Sequence, residues 1–206
     1  MKDINIYVFG DSITYGAGDY ELGGWVNRLR LILENDGSEI YYNVFNLGIS
    51  GEETRETSER FESELRVRYD MYVDNIIIFA IGINDTLDVC GKDEVPLEDF
   101  KNNITNLINK AKKYSNKILF IGLTKVNENL VAPLPWNLEK SYFNEKIIKY
   151  DNEIEKICLE NNIYYLKIFD LLTNDYLIDG LHPNEIGHQK MCDKVLEKIR
   201  EFIEIQ

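Results

Sequence analysis

A chain of 206 residues with 44% hydrophobic residues and four prolines is long enough to bury its own core, and 36 acidic against 23 basic side chains leave a formal charge of −13. That charge repels phosphate backbones and anionic membrane surfaces at long range, which excludes nucleic acid as a partner. No apolar run approaches the roughly 20 residues needed to span a bilayer, and three widely spaced cysteines, Cys90, Cys158 and Cys192, fit reduced thiols rather than a disulfide framework or a metal site.

From the amino terminus, Met1-Lys2-Asp3 leads directly into an apolar run at 4–9 with no signal-peptide core ahead of it, which points to the cytoplasm. Residues 4–9 read as a first strand. Trp25, Val26, Leu29, Ile32 and Leu33 fall at helical spacing, and residues 41–46 form the next strand. The segment 52–65 is mostly polar and supports a helix on few apolar positions. Residues 75–80 are apolar without alternation, as in a strand covered on both faces of a parallel sheet. Pro96 introduces a helix through Leu97, Phe100, Ile104, Leu107 and Ala111, with Glu98 and Asp99 in its first turn. Its basic end, 110–117, suits the negative pole of a helix dipole. Strands at 117–122 and 164–168 bracket a helix carried by Phe143, Ile147, Tyr150, Ile154 and Ile157. A last helix starts at Pro183 and buries Met191, Val195, Ile199 and Phe202. This alternation predicts one α/β domain over residues 1–206, a doubly wound sandwich whose parallel strands open a ligand crevice at their carboxyl ends.

Four short motifs fall at that edge. Gly10-Asp11-Ser12-Ile13 follows the first strand and presents a hydroxyl, although a serine before a helical segment is also an ordinary cap. Asn46-Leu47-Gly48-Ile49-Ser50-Gly51 follows the second strand, where glycine lets a backbone N–H approach a ligand or simply makes a turn. Gly82-Ile83-Asn84-Asp85 follows the third strand and offers an amide donor. Asp179-Gly180-Leu181-His182 precedes the last helix, and a carboxylate three residues before an imidazole can fix the tautomer that leaves Nε2 free to accept a proton. The other histidine, His188, groups with Met191, Cys192 and Val195 on the helix and reads as a packed residue. Asp11 and Asp85 read as carboxylates bonding neighbouring backbone N–H groups. The segments 86–95 and 124–136 are expected to wall a pocket.

Together these four motifs resemble the signature blocks of the SGNH subgroup of the GDSL hydrolases, over residues 10 to 182, with Ile13 where the family name has leucine. The resemblance implies a flavodoxin-like three-layer α/β/α sandwich with a five-stranded parallel sheet. It implies catalytic roles for Ser12, His182 and Asp179, an oxyanion hole from Ser12, Gly48 and Asn84, and no cofactor or metal. Asp11 and Trp136 are the candidates for substrate contact. The activity expected is hydrolysis of a small neutral carboxylic ester: an acetylated sugar, a short acyl ester or a lysophospholipid-like molecule. Acyl transfer to an alcohol at the same site, and a flavin- or phosphate-binding module on the same fold, are the alternatives. Assembly into a homo-oligomer stays open.

Overall fold

In the computed structural model, which describes residues 2–204, the side chains of Ile76, Ile77, Ile78 and Phe79 are wholly buried. The chain runs β1 (Lys2–Gly10), α1 (Ser12–Tyr15), α2 (Gly24–Leu33), β2 (Ile40–Gly48), α3 (Thr54–Arg66), β3 (Asp74–Ala80), β4 (Asp88–Val89), β5 (Lys92–Asp93), α4 (Leu97–Ala111), β6 (Lys117–Ile121), α5 (Glu128–Val131), β7 (Lys140–Ser141), α6 (Asn144–Glu160), β8 (Tyr164–Leu166) and α7 (Glu185–Glu204). Five strands form one parallel sheet in the order β2-β1-β3-β6-β8. This is the flavodoxin-like order, in which β1 is the strand where the winding reverses. Helices flank the sheet in two groups: α2 packs on α7, and α3 on α4, which packs on α6.

The strand register explains how the site is carried. Gly10, the last residue of β1, lies opposite Gly48 of β2 and Ala80 of β3, so three strands end side by side. One residue earlier, Phe9, Phe79 and Phe120 stand in register across β1, β3 and β6. The Phe9–Phe79 and Phe79–Phe120 ring centroids lie 5.9 and 4.9 Å apart, and Phe61 of α3 lies 5.0 Å from Phe9. Each such aromatic pair contributes about 0.5–1.5 kcal/mol beyond its buried area. The loops that follow β1, β2 and β3 therefore rise from a rigid aromatic floor.

The helix expected at 52–65 forms, and two other elements depart from the sequence expectation. The polar segment 52–65 is a full helix, α3, because a reciprocal Glu53–Glu56 capping box and the Asp85 carboxylate satisfy its first N–H groups. Expected at Pro183, the last helix begins instead at Glu185, with Asn184 Oδ1 accepting the Gly187 N–H; Pro183 is drawn into an antiparallel bridge with Leu177. The fifth strand is only three residues, and residues 167–184 continue it as a long irregular connection. A small antiparallel sheet, β5-β4-β7, joins the segments after β3 and β6 and had no counterpart in the sequence reading.

Candidate active site

Ser12 opens α1, one residue behind the end of β1. Asp11 caps that turn, its carboxylate accepting the Ile13 N–H at 2.9 Å. Thus the cap is the aspartate, and the serine is released from that duty. The Ser12 hydroxyl donates to His182 Nε2 at 2.9 Å, across 170 residues of chain. On the far side of the ring, His182 Nδ1 donates to Asp179 Oδ2 at 2.7 Å. The acceptor on one ring nitrogen fixes the proton there and leaves Nε2 as the basic nitrogen.

Local backbone geometry builds this array. Asp179 Oδ1 accepts the Leu181 and His182 N–H groups at 2.9 and 2.8 Å, so the carboxylate that orients the ring also shapes the loop beneath it. Partial burial pushes the Asp179 pKa up, but the bonds from the His182 ring and from the two backbone N–H groups outweigh it and hold the value at about 2. Residues 176–178 clamp the other side, with the Ile178 N–H donating to His182 O and the Asn184 N–H to Tyr176 O.

His188 lies outside this array. Fully buried on α7, it accepts the Trp25 N–H at Nδ1 (3.1 Å) and donates from Nε2 to Ala17 O (2.9 Å). Desolvation lowers its pKa, so it serves as a neutral tie between α7 and the loop after α1. That loop is pinned from within by Asp19, which accepts the Glu21, Leu22 and Gly24 N–H groups and pairs with Arg28 at 2.7 Å.

The second motif is placed differently from the expectation. Gly48 does not line the cleft that holds Ser12 and His182; its N–H donates to Asn46 Oδ1 at 3.0 Å. What it supplies is close packing, since a Cβ there would lie 2.3 Å from Tyr15 N. Gly51, three residues on, does line the cleft, has φ of +82°, and its N–H has no partner among the described residues. Which of the two glycines lines the cleft with an N–H not already bonded is what the sequence could not assign.

Asn84 is brought to the same cleft by the 3₁₀ turn after β3. Its Nδ2 donates to Glu52 O at 2.9 Å, and its Oδ1 accepts the Tyr142 hydroxyl at 2.8 Å. Asp85 beside it is wholly buried and accepts both the N–H and the hydroxyl of Thr54, locking the start of α3 to this turn. Burial raises its pKa to about 7 against the lowering effect of those bonds.

The cleft encloses about 500 Å³, with Leu134, Trp136 and Leu181 on its apolar side and Asn137 and Lys140 among its polar groups. Trp136 therefore lies on the wall of this cleft. Asp11 does not: it faces a separate small cavity with Ile13 and Thr124, and burial raises its pKa to about 7. Two residues that hold Asn84 escaped the sequence reading. Glu52 and Tyr142 belong to no motif, and only their contacts with Asn84 reveal them.

A serine hydroxyl set against an imidazole backed by a carboxylate, at the ends of parallel strands, is the arrangement of a serine hydrolase. The chain belongs to the GDSL-like Lipase/Acylhydrolase family, which it matches over residues 8–190. It is 27% identical to the isoamyl acetate-hydrolyzing esterase of Saccharomyces cerevisiae over 215 aligned residues, covering 95% of this chain and 85% of that one. An acetylxylan esterase from Geobacillus stearothermophilus shares the fold, with a TM-score of 0.73 and 20% identity over 95% of this chain and 93% of the other. So does the psychrotrophic esterase EstA of a Pseudoalteromonas species, with a TM-score of 0.72 and 19% identity over 97% and 98% of the two chains. No helix among the described residues is long and apolar enough to cross a membrane.

Proposed function

We propose that the chain hydrolyses a short-chain, most simply acetyl, ester of a neutral alcohol through a covalent acyl-serine. Ser12 Oγ attacks the carbonyl carbon as His182 Nε2 takes the hydroxyl proton. The tetrahedral intermediate collapses, the bond to the alcohol oxygen breaks, and His182 returns the proton to the departing alcohol. Water then attacks the acyl-serine by the same route and releases the acid. Asp179 keeps the ring in the productive tautomer and stabilises the imidazolium. Three N–H groups serve the oxyanion: Ser12 and Gly51 from the backbone and the second Nδ2 hydrogen of Asn84. Each such donor is worth about 3–4 kcal/mol of barrier.

The observation that carries this reading is the 2.9 Å contact between Ser12 Oγ and His182 Nε2, with Asp179 behind the ring. The acyl length is supported by the names of two relatives, which describe esterases acting on isoamyl acetate and on acetylxylan. A net charge of −13 favours neutral over anionic substrates. The test is a panel of chromogenic esters from acetyl to decanoyl beside acetylated saccharides, with Ser12→Ala as control. The expected result is activity falling with acyl length and absent in the variant; Ser12→Ala at wild-type turnover would remove the proposal.

A further inference from the structure

We propose that Tyr142 is a positioning residue for the oxyanion hole: its hydroxyl fixes the Asn84 amide so that one N–H faces the reacting carbonyl. This rests on the esterase reading above and extends it to a residue outside the four motifs.

A side-chain amide can turn over, exchanging its oxygen and nitrogen, and only its partners decide which end faces the cleft. At Asn84 the partners leave no choice. The Glu52 carbonyl can only accept, so it claims Nδ2, at 2.9 Å. The opposite edge of the amide meets the Tyr142 hydroxyl at 2.8 Å, where the proton is donated to Oδ1. The bond to Glu52 O is the one that Nδ2 makes among the described residues, so its second hydrogen remains, at a side chain that lines the cleft with Ser12 and His182. Donation into Oδ1 also polarises the amide and strengthens what its N–H can give, by about 10–30% per linked bond.

Tyr142 is built to hold this contact. Buried to 2% exposure, it follows β7 directly, and its own N–H donates to Val131 O at 3.0 Å. Burial, with the nearby Asp11 and Asp85 carboxylates, pushes the phenol pKa far up, which favours the protonated hydroxyl that donates to Asn84. Glu52 is equally fixed. Its side chain pairs with Arg60 and accepts the Thr57 hydroxyl at 2.8 Å, so the carbonyl that holds Nδ2 does not drift.

The experiment compares the wild type, Tyr142→Phe, Asn84→Ala and the double variant on a soluble acetyl ester, with Ser12→Ala as control. Tyr142→Phe removes one oxygen and should lower kcat by about 10- to 100-fold with KM changed less than about threefold, because the lost contact acts on the transition state. In the Asn84→Ala background the same change should have no further effect, since Tyr142 acts only through that amide. Wild-type kcat in Tyr142→Phe, or multiplicative losses in the double variant, would overturn the inference while leaving the serine mechanism intact. Failure of the mechanism would instead be seen as turnover surviving Ser12→Ala. Should Tyr142→Phe not fold, nuclear magnetic resonance of the wild type decides: one Asn84 amide proton should exchange slowly and the other with solvent, and equal exchange would overturn the assignment.

Discussion

Replacement of Asp179 by asparagine tests the orientation of the base without disturbing its position. The carboxylate makes three contacts, two from Oδ1 to the Leu181 and His182 N–H groups and one from Oδ2 to His182 Nδ1. An amide has one oxygen for both duties. If the oxygen keeps the two backbone donors, the NH₂ group faces Nδ1, which must then accept, and the proton moves to Nε2. The base is blocked by its own proton. If the amide turns over, two backbone N–H groups meet an NH₂ group, at a cost of about 0.5–1.5 kcal/mol for each bond lost. The loop geometry therefore favours the blocked tautomer by about 1–3 kcal/mol, and only a minor population keeps a free Nε2. A wrong tautomer of this kind has cost about 10⁴ in kcat in another serine hydrolase, which is about 5 kcal/mol of barrier. The assay is hydrolysis of a chromogenic acetyl ester by wild type, Asp179→Asn and His182→Ala, with the fluorophosphonate labelling rate of Ser12 as a second readout. Asp179→Asn should lie between the other two in both. Activity within threefold of wild type would refute the tautomer argument, as would a loss larger than that of His182→Ala.

The two glycines of the second motif should separate cleanly. Gly48→Ala places a Cβ against the Tyr15 backbone and should cost about 2–3 kcal/mol of stability, read as a Tm lower by several degrees. Gly51→Ala has open space but φ of +82°, so it should cost about 1–2 kcal/mol of stability and, by shifting the N–H, also lower kcat. The Asp11 carboxyl, raised to about 7 by burial, holds a proton that the unfolded chain releases near 3.8, so its stabilising contribution is present below 3.8 and is lost as pH rises to 7. Thermal melts should show Asp11→Asn with a smaller fall in Tm than wild type between pH 4 and pH 7; an identical slope would contradict the assignment. Trp136→Ala, on the cleft wall and 59% exposed, should raise KM several-fold for bulky esters while leaving kcat for an acetyl ester near wild type. Steady-state kinetics on two esters of different size checks this.

The parts of the structure that repeat a chemical period were legible in the amino-acid order. Ile76 to Phe79 announced a strand buried on both faces, and Phe100, Ile104, Leu107 and Ala111 announced the face of α4. Ser12, Asp179 and His182 stood in short motifs whose spacing resembled known blocks, and the structure brings them together. What could not be read has no period and no local spacing. Two-residue strands carry no alternation, so the β5-β4-β7 sheet left no trace. Gly48 and Gly51 are the same residue type in one loop, and what tells them apart, the Asn46 side chain on the first N–H and the packing of Tyr15 against the first Cα, is set by tertiary contacts. Tyr142 meets Asn84 across 58 positions, one of 13 tyrosines with nothing nearby to single it out. The α3 helix was legible only in outline because part of its capping comes from Asp85, 31 positions downstream of Thr54.

The short antiparallel sheet that stitches the segment after β3 to the segment after β6 has a consequence for how this enzyme could acquire a new specificity. Leu134 and Trp136, which shape the recess, lie on the same stretch of chain as Tyr142, and that stretch is fastened through β7 to the one that follows Asn84. Grafting a foreign recess by exchanging either stretch alone would unfasten the other. Engineering or natural recombination that transplants residues 86–95 and 124–142 as a matched set would preserve the seam, whereas piecemeal exchange would trade turnover for selectivity.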